Sequence, residues 1–274
     1  MLIIDASPQQ QTWTPANLPA ERLSFWQDAN DPSTVILATG VSQWRDKSGN
    51  NRHFSQAVGA NQPSYSNTAF FGLPGITFDG INDNLQLSDI SSQITNRTHG
   101  VYWVFRWISG NSLGAGYNPS ISIKSVSNSD NGALHYIRNL SNIGASYPYF
   151  SQPTLASYDN SGVVYINTTG YMMSFQANAS SGATAWSVHR NGTLEGNTNG
   201  IGTPNTNNEG YVLGHQITAT RYLNCVFAEI LMIQNTNASI RDLVKGYFAW
   251  KWNLQANLPA NHPFKNRAPL VSDV

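Results

Sequence analysis

Disulfide bonds are the first thing this chain does without. Its one cysteine, Cys225, stands alone in 274 residues, so no bridge forms within the chain. A chain of this length buries roughly three quarters of its unfolded surface and needs no such staple. Cys225 sits in the apolar run YLNCVFAEILMI and reads as a small buried hydrophobe. Charge is scarce as well. Fifteen basic and fifteen acidic residues cancel, and together they make up 11% of the chain. That balance leaves no electrostatic footprint for nucleic acid or an acidic membrane surface. No run approaches the ~18 apolar residues of a membrane span, so no membrane insertion is expected. The opening MLIIDASPQQQ lacks a basic stretch ahead of a long apolar one, so no targeting segment is expected either.

Reactive groupings are missing in the same way. The histidines (His53, His99, His135, His189, His215 and His262) are scattered, with no H-E-x-x-H pattern and no cysteine pair to hold zinc. The glutamates are Glu21, Glu195, Glu209 and Glu229, and none has another acid two residues away. Gly110 to Gly114 spells G-N-S-L-G, a literal match to the nucleophile elbow. That elbow must turn from a strand into a helix, and the AGYNPS that follows cannot start one. No internal repeat and no dividing linker is present.

In place of charge the chain carries Asn, Ser, Thr, Gly and Gln, which give a polar surface that is not ionic. Its body predicts β structure. The segments 100–109, 120–126, 133–138, 162–168, 171–177 and 184–190 are short and rich in aromatic and β-branched residues, with turn clusters between them. Asn191-Gly192 marks a two-residue hairpin, since a type I′ turn needs positive φ at both central positions. The expected architecture is all-β: a two-sheet antiparallel β-sandwich, or jelly roll, with one C-terminal α-helix. That helix is predicted at about 238–252. Ile240, Leu243, Val244, Tyr247 and Phe248 recur at i, i+3, i+4, i+7 and i+8 as one apolar stripe. Arg241, Asp242, Lys245 and Ala249 fall on the opposite side, and Ser239 or Asn237 caps the start. Pro259 and Pro263 are expected to hold the chain extended beyond the helix. Residues 1–20 read as an arm that adds to a neighbouring subunit or docks on another protein of the same assembly, and residues 21–274 as a single domain.

Two groups of residues are candidates for ligands. Asp79, Asn82 and Asp83 crowd one turn with hard oxygens. They read either as a self-capped turn or as a calcium site, the one cofactor the chain suggests. Tyr147 and Tyr149 in SYPYFSQP, and Tyr117 in GAGYNPS, are loop aromatics of the kind that contact a glycan or pack at a subunit interface.

Residues 23–87 carry a resemblance. Trp26 and Asp28 in FWQDA, the run from Trp44 to Gly49 (WRDKSG), QPSY at 62–65, and Phe78-Asp79-Gly80 followed by Asp83 and Leu85 resemble the first half of concanavalin A-like, laminin-G-type jelly-roll domains of bacterial and bacteriophage proteins. SVHRNGTLEG is similar to that fold's penultimate hairpin. The tail from Ala228, with its closing strand, helix and LPANHP, resembles the phage branch of the same family. The resemblance implies the sandwich, and Trp26, Trp44 and Phe78 as its large inward residues. It also implies a non-enzymatic virion structural protein, such as a head decoration, fibre, neck or tail component. Such a protein would assemble in the bacterial host cytoplasm as a homo-oligomer with other virion proteins. The alternative is a glycan-binding adhesin that attaches to a host surface. A glycoside hydrolase is the third class. It needs two carboxylates about 5–9 Å apart, and Glu229, expected to face the sandwich rim from the closing strand, lacks an adjacent acid.

Overall fold

The computed structural model describes the chain except for residues 1–9, 89–97, 110–116, 126–129, 139–142, 148–157, 181–182, 202–207 and 217–220. Strands are numbered in chain order. One sheet runs β15 (Thr193–Ile201), β14 (Ala183–Arg190), β13 (Gly170–Ser180), β8 (His99–Ser109), β19 (Asn224–Gln234), β6 (Leu73–Asp79) and β5 (Ser64–Phe70), with β1 (Leu23–Asp28) also paired to β19. The other runs β12 (Tyr158–Val164), β11 (Ile143–Tyr147), β10 (Asp130–Arg138), β9 (Tyr117–Ser125), β16 (Asn208–Leu213), β7 (Leu85–Ser88), β4 (Phe54–Ser55), β3 (Val41–Trp44) and β2 (Val35–Leu37). A short ribbon pairs β17 (His215–Gln216) with β18 (Arg221–Tyr222). Both large sheets are antiparallel throughout their described pairings.

A single helix, α1 (Ala238–Lys251), lies on the outer face of the first sheet. The fold therefore has three layers and two cores. Phe25, Trp44, Phe54, Phe78, Trp103 and Phe105 fill the space between the sheets. Trp13, Trp26, Tyr102, Leu231, Val244 and Phe248 fill the space between sheet and helix. Strands β8 and β19 are buried on both faces, which is why VYWVF, and VFAEILMI apart from Glu229, read as apolar runs rather than alternating ones. Trp44 and Phe78 lie between the sheets, but Trp26 corrects the expectation for it by pointing the other way, under the helix.

Asn237 caps α1, its side chain accepting from the Ile240 amide at 2.9 Å. The helix ends with Asn253 in the left-handed region and the Leu254 amide bonded to the Ala249 carbonyl at 2.8 Å. The expected apolar stripe is buried. Lys245 and Ala249, placed on the solvent side by periodicity, are fully buried too. Beside them the tail coils back instead of running extended. His262 turns onto the Pro259 carbonyl, and a Cβ on Gly246 would lie 2.6 Å from Phe264.

Residues 10–20 correct the expected arm boundary, because they belong to the domain. Trp13 is buried with its ring edge-on to Tyr247 at 5.8 Å, and Thr12 bridges Leu270. Residues 1–9 lie outside the described set.

Candidate functional site

Glu229 lies on the closing strand β19, and its setting is built by a bulge. Phe227 pairs with Phe105 and Glu229 with Val104, so β19 carries one extra residue against β8. Before the bulge Cys225 and Phe227 face the inter-sheet core, and after it Ile230 and Met232 do. Ala228 and Glu229 both turn toward the helix, as an inserted residue re-aims its neighbours. Glu229 is therefore not at the rim. It is fully buried beneath α1.

Four donors meet its carboxylate there. The indole N–H groups of Trp26 and Trp252 donate at 2.6 Å each, the Tyr247 hydroxyl at 2.8 Å, and the Lys251 ammonium lies at 2.9 Å. Asp28 is in register with Glu229 across the β1–β19 pair, and Lys251 bridges to it at 2.7 Å. Lys47 reaches Asp28 and Asp31, each at 3.0 Å, and lies 4.5 Å from the Trp26 ring centre. The DKSGNN turn delivers that lysine. Asp46 accepts from the amides of Trp26, Ser48 and Arg52, which ties the turn to β1.

Burial raises the Glu229 carboxyl above the usual glutamate range, and Lys251 opposes that. All four partners are donors, so the group they jointly satisfy is the ionised carboxylate. Burial works against the Lys47 charge, yet Asp28 and Asp31 hold its ammonium above the ordinary lysine value.

Chain order concealed the partner acid. Glu229 has its second carboxylate, Asp28, across a strand pair rather than two residues along. Lys251, between two tryptophans in AWKWN, was not singled out at all. Its only sequence signal is a charge inside an aromatic run that must be buried. Chemically the arrangement is a clasp. A glycanase leaves room for a sugar between its acids, and here one ammonium fills that gap.

The Asp79 turn spends its oxygens on backbone. Asp79 Oδ1 accepts from the amides of Ile81, Asn82 and Asp83 at 2.7, 3.3 and 3.4 Å, and Asp83 Oδ2 accepts from the Asp79 amide at 2.9 Å. Burial pushes the Asp83 carboxyl up to about 6; the Asp79 amide opposes this and the Asp79 charge adds to it. The turn is a reciprocal Asx cap, in which one oxygen of each carboxylate accepts from backbone amides. Among the described residues no group of three or more His, Cys, Asp or Glu side chains converges to hold a metal.

The backbones of Tyr117 and Tyr147 are not brought together. Tyr147 stands in register with Ala133 and Tyr117 with Arg138, well apart along β10. Their side chains lie outside the described set, and so does the whole of Tyr149. The G-N-S-L-G segment is also outside it.

An open cleft of about 230 Å³ lies where the helix ends. Phe71, Thr168, Thr169, Asn253 and Asn257 line it with Trp252, and no ionisable side chain does. Trp252 is buried and its N–H is spent on Glu229, so it gives the cleft an apolar floor. Asn257 is held by its Nδ2, which donates to the Gly170 carbonyl at 3.0 Å. Phe71 is 46% exposed, with the Arg106 guanidinium 4.9 Å from its ring centre.

No family model and no curated protein matches this chain. Solved structures do share its fold. The binding domain of Paraclostridial Mosquitocidal Protein 1 superposes with a TM-score of 0.57 at 11% identity, over 84% of this chain and 53% of that one. Trypanosoma rangeli sialidase in complex with sialic acid gives 0.53 at 14% identity, over 84% of this chain and 34% of that one. The botulinum neurotoxin type G receptor binding domain gives 0.50 at 12% identity, over 80% and 49%. This chain thus spans about a third of the sialidase and about half of the two toxin domains. At such identities the likeness shows the fold: a mostly β chain of two antiparallel sheets, with a single C-terminal helix.

Proposed function

We propose that this protein is a non-catalytic glycan-binding β-sandwich. One relationship carries the proposal: the described cleft open to solvent contains no acid, and the opposed acids Asp28 and Glu229 have no room for a substrate. Such a molecule can hold a sugar without cutting it. The low-charge surface, polar through Asn, Ser and Thr, suits recognition by many weak hydrogen bonds. Two fold neighbours are binding domains, and a third was solved with sialic acid, which accords with this reading. Tyr117 and Tyr147, whose strands belong to the other sheet, and Tyr149 are proposed as further, separate glycan contacts.

The finer setting we propose is a virion, on the strength of the residue pattern at both ends of the chain. The protein would be a decoration, fibre, neck or tail component, assembled with other virion proteins in the bacterial cytoplasm. A homo-oligomer would turn shallow sites into useful avidity. Binding of the intact protein to an array of neutral and acidic glycans, with no release of reducing sugar from any bound polysaccharide, is the expected result. An array with no binder would refute the glycan reading, and reducing-sugar release that Glu229→Gln abolishes would make the protein an enzyme. Negative-stain images of phage particles labelled against this protein test the virion setting. Unlabelled particles would refute it.

A further inference from the structure

Two hairpins in this protein use the same kind of turn with opposite chemistry. Between β14 and β15 the turn is Asn191-Gly192, with φ of 52° and 90°. Between β5 and β6 it is Phe71-Gly72, with φ of 51° and 86°. Asn tolerates the left-handed region because its short side chain bonds locally, whereas a bulky aromatic there is strained. The described non-glycine residues with positive φ are Asn51, Asn191, Asn235, Asn253 and Phe71. Four are asparagine, so the phenylalanine is the one that turn chemistry does not explain. Asn253 has its own reason, as the residue that ends α1.

Packing accounts for the ring only in part, through an edge-on contact with Phe70 at 5.3 Å and the Arg106 guanidinium at 4.9 Å. Phe71 remains 46% exposed while its neighbour Phe70 is fully buried. What the strained backbone achieves is placement. It places the ring in the wall of the cleft, with Arg106 against it, in a lining shared with Thr168, Thr169, Asn253 and Asn257. Backbone strain that holds a largely exposed aromatic in place is a feature of ligand-binding sites.

Resting on the glycan-binding reading, we infer that this cleft is the subsite for one uncharged pyranose ring. Phe71 is its stacking platform, and the threonine hydroxyls and asparagine amides are its hydrogen-bond partners. An aromatic face matches the apolar C–H face of a pyranose, and neutral donors and acceptors match its hydroxyls. The lining itself offers an acidic sugar no counter-charge, and the nearby Arg106 guanidinium is already engaged on the Phe71 ring, which disfavours sialic and uronic acids. A volume of about 230 Å³ suits a single ring rather than a length of chain.

The test begins with the full chain on an array of immobilised neutral, sialylated and uronate-bearing glycans. The best neutral glycan is then titrated calorimetrically against wild type, Phe71→Asn and Thr169→Trp. Phe71→Asn installs the residue the turn prefers, and Thr169→Trp fills the cleft without touching the turn. The expected result is at least tenfold weaker binding by both variants, with the melting temperature of Phe71→Asn equal to or above wild type. Undiminished binding by both variants would remove the cleft assignment while leaving the glycan reading intact. A preference for acidic glycans would overturn the ligand class. A markedly lower melting point for Phe71→Asn would make the ring a structural cover and sink the subsite. No binding by wild type would overturn the subsite and the glycan reading together.

Discussion

Trp252 Nε1 donates to Glu229 Oε2 at 2.6 Å, and that one bond joins the sealed interior of the protein to its open cleft. The same indole is a floor on one side and a donor on the other. The buried Glu229 carboxylate thus helps to set the orientation of a ring that lines the surface cleft.

Breaking the clasp should be costly. Removing one partner of a buried ion pair costs about 3–5 kcal/mol, because the survivor is left uncompensated. Glu229→Gln and Lys251→Met should each lose roughly that much in urea denaturation. The double variant should lose less than the sum, since the two share one network. Additive losses would mean that the bridge is not a unit.

Lys245 should behave in the opposite way. Its ammonium nitrogen is buried with no hydrogen-bond partner. Burial holds its pKa well below the lysine norm; Arg241 adds to this, while Asp242 and Glu195 oppose it. The unfolded chain then binds a proton that the native chain lacks, so stability climbs as pH rises toward the ordinary lysine value. Lys245→Met should be more stable than wild type at pH 7. It should also lose the rise in urea midpoint that wild type shows between pH 7 and 9. A midpoint for Lys245→Met below that of wild type would show the nitrogen to be satisfied.

Asp83 has a pKa raised to about 6 by burial, with a smaller addition from Asp79. Its native form holds the proton more tightly than the unfolded form, so its stabilising contribution is full below pH 4 and is lost as pH rises through 6. Asp83→Asn should flatten stability between pH 4 and 7 while keeping an acceptor for the Asp79 amide. Added calcium should leave the melting temperature unchanged. A calcium-dependent rise that Asp79→Ala abolishes would restore the metal reading.

The second core predicts what truncation does. Deleting residues 238–274 strips α1 from an apolar sheet face and should cause aggregation. Deleting residues 1–20 should also destabilise the fold, because it removes Trp13 and Leu18 from that core. Trp13→Ala alone should cost about 3–5 kcal/mol. A Trp13→Ala protein with unchanged melting would return residues 10–20 to the status of an arm.

Local chemistry was legible in the amino-acid order. The alternation and turn residues of the strands, the Asn191-Gly192 hairpin and the Ile240–Phe248 stripe depend on contacts within a few residues, so they declare themselves along the chain. The sandwich and its helix followed from them. Tertiary structure decided everything that depends on which strands become neighbours. Asp28 meets Glu229 across 201 positions of sequence only because β1 pairs with β19, and a bulge that no local pattern announces turns Glu229 inward. Lys245 is buried on a helix face that periodicity assigned to solvent, where the returning tail packs against the neighbouring Gly246 and the β14–β15 residues His189 and Glu195 lie near. Phe71 looks like one more aromatic in AFFGLPG until its positive φ and its exposure are seen together. Burial and pairing are properties of surfaces brought together at a distance, and a chain read in order carries no record of which of its surfaces will meet.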